Sequence, residues 1–77
     1  MDLDTDKIDA AVLALLSLTL HDKVRAWKSH DWDVLGRLYD KGWISDPVGK
    51  AKSVVLTEKG LAESQRLLGA LFGRPAR

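Results

Sequence analysis

A chain of 77 residues, 45% apolar and 30% charged with a net charge of +1, has room for one domain, which rules out a disordered chain and a strongly acidic or basic one. Having no cysteine, it excludes disulfides and thiolate metal centres, so a core this small must rely on good packing or self-association, in a reducing, cytoplasmic setting. The longest apolar run, Ala10 to Leu20, is too short for a membrane span, and Asp2, Asp4, Asp6 and Asp9 stand before it where a secretory leader would be basic.

The first predicted element is a helix. Ile8, Val12, Leu15, Leu16 and Leu20 recur at three- and four-residue steps, and Asp4, Thr5 and Asp6 supply cap residues and first-turn acids that complement the helix dipole. Between Ala10 and Leu20 this helix is apolar nearly all round, so it must be covered on more than one face, either by the rest of the fold or by a second copy of the chain. Two readings stand open for the stretch after Leu20. The helical spacing continues through Val24 to Trp27, or the helix stops near His21 and Val24 to Trp27 form a short strand or second helix.

A second capped helix starts at Asp31, with Trp32, Leu35, Leu38 and Tyr39 on one face. Gly42 suits the left-handed position just past its end, and Trp43 can fold back onto Leu38. A hairpin is expected from Ile44 to Leu56, turning at Asp46-Pro47-Val48-Gly49 and returning through Val54, Val55 and Leu56. Thr57 caps a last helix with an apolar face of Leu61, Leu67, Leu68, Leu71 and Phe72, which ends at Gly73 and Pro75. Gly36 and Gly69 lie inside helices and are expected to mark close helix packing. The predicted fold class is mainly α with a small β-hairpin, three helices and a two-stranded wing in a single domain over residues 1–77.

Leu35, Leu38, Lys41-Gly42-Trp43-Ile44 and Val54-Val55-Leu56-Thr57-Glu58-Lys59-Gly60-Leu61 resemble the end of a winged helix-turn-helix domain of the MarR or PadR kind. That resemblance spans Asp31 to Leu61 and implies a winged-helix scaffold. The chain as a whole is also similar to a family of small uncharacterised bacterial proteins, at Asp4-Thr5-Asp6-Lys7-Ile8-Asp9, Arg25-Ala26-Trp27-Lys28 and Asp46-Pro47-Val48-Gly49-Lys50-Ala51-Lys52. It departs from DNA-reading winged helices in two ways. Only His21 to His30 are available for a further helix before the recognition position, and the helix at that position carries Asp33 and Asp40 beside Arg37 and Lys41. Acids facing phosphates repel them.

The leading functional reading is a protein-interaction or dimerisation module, because winged helices dock as well as read DNA and tryptophan is enriched at interface hot spots. Val12, Leu16, Leu20 and Leu68 are the candidate homodimer face, and Trp27, between Arg25 and Lys28, is the best partner contact among three tryptophans. The alternative is DNA binding, with Lys50 and Lys52 on phosphates, Arg37 and Lys41 in or beside the major groove, and Arg25 and Lys28 adding backbone contacts. Arg74 and Arg77 lie in a short basic tail. An enzyme is not expected. His21-Asp22 and Ser29-His30-Asp31 are neighbours in sequence, which is no evidence of a triad, because triad members meet in space from separate parts of a fold. No cofactor, metal or small-molecule site is expected, for want of a glycine-rich phosphate loop or diagnostic ligand spacing.

Overall fold

A computed structural model of the chain describes residues 1–28 and 30–75. Ser29 of the Ser-His-Asp string, Ala76 and the tail residue Arg77 lie outside the described residues. Helix α1 (Thr5–Leu16) starts where expected: the Asp4 carboxylate accepts the Lys7 N–H at 3.1 Å. It does not run on to Trp27. A 3₁₀ turn at Ser17–Thr19 closes it, and the Ser17 and Thr19 hydroxyls donate to the carbonyls of Ala14 and Leu16. The chain then reverses tightly. Asp22 and Lys23 both take positive φ, and His21 and Arg25 exchange backbone hydrogen bonds of 2.8 and 2.9 Å across the turn.

Strand β1 (Arg25–Trp27) therefore occupies the stretch left open between helix and strand. Helix α2 (Trp32–Asp40) comes next, capped by the Asp31 carboxylate on the Asp33 N–H. Its end is a full Schellman motif. Gly42 sits at φ 77°, its N–H donates to Tyr39 O, and the Trp43 N–H donates to Leu38 O. Strand β2 (Ser53–Val55) and helix α3 (Glu58–Phe72) complete the chain, the latter capped by Thr57 Oγ1 on the Gly60 N–H.

β1 and β2 pair antiparallel, with Arg25 opposite Val55, Ala26 opposite Val54 and Trp27 opposite Ser53. The hairpin expected over Ile44 to Leu56 is thus only half realised. Ile44 and Leu56 form an isolated antiparallel bridge and the Ser45 N–H reaches Val55 O, but the ladder partner of β2 is β1. The reason is local. After Ser45, Pro47 has no N–H to give and Asp46 turns the chain by accepting the Val48 N–H, so this segment leaves the sheet. The extended Arg25–Trp27 stretch takes the place beside β2 instead. Among the described residues three α-helices and one two-stranded sheet make an α+β fold, consistent with a winged-helix-like layout.

Leu13, Ala14 and Leu16 of α1 pack with Leu35 and Leu38 of α2, Ala26, Val54, Ile44, Leu56 and Leu67 into one core. The all-round apolarity of α1 is used by the fold itself, mainly against α3 and also against α2. Two sequence expectations are corrected by this packing. Leu71 and Phe72, placed on the buried face of α3, are exposed, because the core ends at Leu67 and Leu68. Gly36 and Gly69 have open space where a Cβ would point, whereas at Gly60 a Cβ would stand 1.8 Å from the Trp43 carbonyl oxygen. The close approach is that of the α3 N-terminus against the chain leaving α2.

Candidate functional site

Strand β1 alternates, sending Ala26 into the core and Arg25 and Trp27 outward. The Trp27 ring is 54% exposed, and one side of it stacks on His21 with centroids 4.5 Å apart and planes 30° off parallel. Just past the strand, the Lys28 N–H donates to Lys52 O at 2.8 Å, which holds the β1 end against the loop leading into β2. Lys28 Nζ lies 3.4 Å from Gly49 O and 5.9 Å from the centre of the Trp32 ring. Trp32, in the first turn of α2, is 60% exposed.

Trp27, Lys28, Trp32, Gly49, Ala51 and Lys52 together line an open groove of about 420 Å³. Gly49 and Ala51 are too small to fill it, so the indoles stay uncovered. Lys50 is exposed between those two small residues in the chain, and Arg25 is exposed on β1 with its Nε 4.0 Å from the Asp22 carboxylate. The site offers aromatic faces and ammonium groups side by side. Such a combination can stack planar groups and neutralise anions.

The structure thus gathers Trp27, Lys28 and Lys52 around one groove, with Lys50 and Arg25 exposed on the loop and strand that form it. It does not bring Arg37 and Lys41 there. Both turn onto Asp9 of α1, which is fully buried. The Arg37 guanidinium donates Nε and Nη2 to the carboxylate at 2.8–2.9 Å, and Lys41 Nζ donates at 2.9 Å to Asp9 and 3.2 Å to Asp6. Burial acts to raise the Asp9 pKa, but the hydrogen bonds from Arg37 and Lys41 outweigh it, and the carboxyl is held below its ordinary value. The hydrogen bond to Asp9 raises Arg37. Lys41 is raised too, since Asp9 and Asp6 overcome its own desolvation. Lys41 also lies 5.2 Å from the Trp43 ring centre. The expectation that these two cations stand free for a DNA groove is corrected: α2 spends them inward, fastening itself to α1.

The candidate homodimer face is likewise taken up by the fold. Leu16 is buried, and Val12, Leu20 and Leu68 pack against the core. Of that set only Trp27 is open to a partner. Sequence reasoning missed Trp32, which it assigned to the buried face of α2. The buried stripe is Val34, Leu35 and Leu38, and this leaves Trp32 and Tyr39 on its rim. The signal was available in Val34, whose inclusion rotates the stripe away from Trp32.

Among the described residues there is no cluster of three or more His, Asp or Glu placed to hold a metal ion, and no helix is long and apolar enough to cross a membrane. Residues 4–74 match the sequence profile of a domain of unknown function, DUF6429. The chain is 55% identical over 74 residues to the uncharacterized protein y4hR of Sinorhizobium fredii (strain NBRC 101917 / NGR234), covering 96% of this chain and all of that protein. No solved structure gives a significant match.

Proposed function

This chain belongs to the DUF6429 family, and we propose that it is a nucleic-acid-binding module whose contact surface is the groove between β1, the start of α2 and the loop before β2. The observation that carries this reading is the meeting of Lys28 and Lys52 with two exposed indoles in one open groove. Lys50 and Arg25, exposed on the same loop and strand, add to the positive charge. Phosphate contacts supply most sequence-independent affinity, and they need cations free of internal partners. Among the described residues Lys50 and Lys52 meet that need, and Lys28 and Arg25 are held only by a 3.4 Å contact to Gly49 O and an exposed 4.0 Å pair with Asp22, whereas Arg37 and Lys41 are spent on buried Asp9. The module therefore contacts nucleic acid through β1, the first turn of α2 and the loop before β2, and not through the Arg37–Lys41 end of α2.

A salt titration tests this. Four phosphate contacts give a slope of log affinity on log salt between about −2.8 for a single strand and about −3.6 for a duplex. Fluorescence anisotropy with labelled oligonucleotides of random sequence is expected to show a slope in that range. Lys50→Glu with Lys52→Glu is expected to abolish binding at about 0.15 M salt while circular dichroism stays unchanged. Absence of binding at low salt, or binding indifferent to salt, sinks the reading.

A protein partner docking on the same indoles is the second reading. It is favoured by Val48, which is 77% exposed immediately before Gly49 of the groove lining. That reading predicts no salt-dependent affinity for oligonucleotides.

A further inference from the structure

Resting on the nucleic-acid reading, we infer that the groove takes an unpaired base, so that the ligand is single-stranded nucleic acid with a base stacked against Trp27 or Trp32. In a duplex the faces of the bases are covered by their neighbours, and a protein meets only groove edges and phosphates. The exposed indoles have no use for those edges. What they offer is flat aromatic surface, and that is matched by the face of a base that has left its stack. His21 supports one side of the Trp27 ring, which holds the ring in place and leaves its other side to a ligand. Gly49 and Ala51 keep the space beside the rings clear.

The polar groups point the same way. The described side chains lining the groove carry donors, the Lys28 and Lys52 ammonium groups and the indole N–H groups. Donors suit phosphate oxygens and base carbonyls. Among the described residues the lining offers no side-chain acceptor of the kind needed to read base amino groups, which favours binding that is tolerant of sequence and best served by bases rich in carbonyls. The element that would read a duplex is also out of play. Arg37 and Lys41 of the α2 end are held by Asp9, and Asp33 and Asp40 are exposed on the same helix.

The test compares labelled oligo-dT with an oligo-dA·oligo-dT duplex of equal length at one salt concentration. Single-strand affinity is expected to exceed duplex affinity by at least tenfold, with quenching of tryptophan fluorescence by oligo-dT alone. At least one of Trp27→Ala and Trp32→Ala is expected to weaken oligo-dT binding about five- to hundredfold, the range for loss of one base–aromatic stack. Trp27→Phe keeps a ring face and should restore most of the affinity, which a purely structural role for Trp27 does not predict. Equal affinity for duplex and single strand, or an undiminished affinity in the Trp27→Ala/Trp32→Ala double variant, overturns the inference. If the duplex then still binds with the expected salt slope and lysine dependence, the nucleic-acid reading stands without it. If neither ligand binds, both fall.

Discussion

The Asp9 carboxylate gathers both cations at the end of α2. It lies in the interior, and the two cations are each about one-third exposed. A buried charge without partners is costly, so removing the carboxylate leaves Arg37 and Lys41 facing each other at the edge of the core. Asp9→Asn is expected to lose about 3 kcal/mol in urea denaturation at neutral pH, the low end for breaking a buried pair, because the cations can rehydrate. The direction of the shifts sets the pH dependence. The folded-state pKa of Asp9 lies below its ordinary 3.8. Its contribution is therefore present above that value and is lost as pH falls through the lowered one. Lys41, raised above 10.5, contributes fully below that value and loses its contribution as pH rises through the raised one. The stability difference between wild type and Asp9→Asn should accordingly narrow in acid. A difference constant down to about pH 2 contradicts this linkage.

At the scale of elements, the N-terminus of α3 is fitted against the segment that leaves α2. Thr57 Oγ1 caps the Gly60 N–H and donates its own proton to Gly42 O at 2.7 Å, while the Thr57 N–H donates to Trp43 O. Lys59 Nζ reaches Lys41 O at 3.1 Å. This junction joins the Schellman end of α2 directly to the cap of α3, and Gly60 is the residue that lets the two backbones meet. Gly60→Ala places a methyl group inside the Trp43 carbonyl, and flexible side chains cannot yield there because the obstruction is backbone. We expect a loss of about 3 kcal/mol or more, read as a fall in the urea midpoint, against a gain of up to about 1 kcal/mol for Gly36→Ala, which has open space inside a helix. The Leu-Thr-x-x-Gly pattern was visible in the sequence, but its reason was not. A glycine inside a helix looks alike whether a carbonyl or open space lies beyond it, and the expectation of close packing fell on Gly36 and Gly69 instead.

At the scale of the molecule, 77 residues bury one core, and α1 runs through it. A charge at Leu16 would break a dimer if that residue faced a second copy. Leu16 is only 1% exposed in a single chain, so Leu16→Glu is expected to unfold the protein outright, with loss of the helical circular dichroism signal at about 25 °C. A folded monomeric Leu16→Glu variant contradicts that burial. The groove depends on the same core indirectly. Ala26 and Val54, both inside, orient β1 and β2 so that Trp27 is turned out, and the inward stripe of α2 leaves Trp32 at the rim.

Elements whose cause lies within a few residues were legible in the chain alone. Asp4, Asp31 and Thr57 cap their helices, Gly42 takes the left-handed end of α2, and the three helices and their order come from local spacing and cap chemistry. The tertiary structure decided everything that pairs residues distant in sequence. It gave β2 to β1 rather than to the segment after Ile44, committed Arg37 and Lys41 to an aspartate on another helix, and brought Trp27 and Trp32 to one groove. The physical reason is that periodicity and capping report a residue's environment within about one turn or one strand of its own position. An ion pair across 28 residues, or an indole left on the rim of a buried stripe, depends on how whole elements are set against each other, and no local pattern records that.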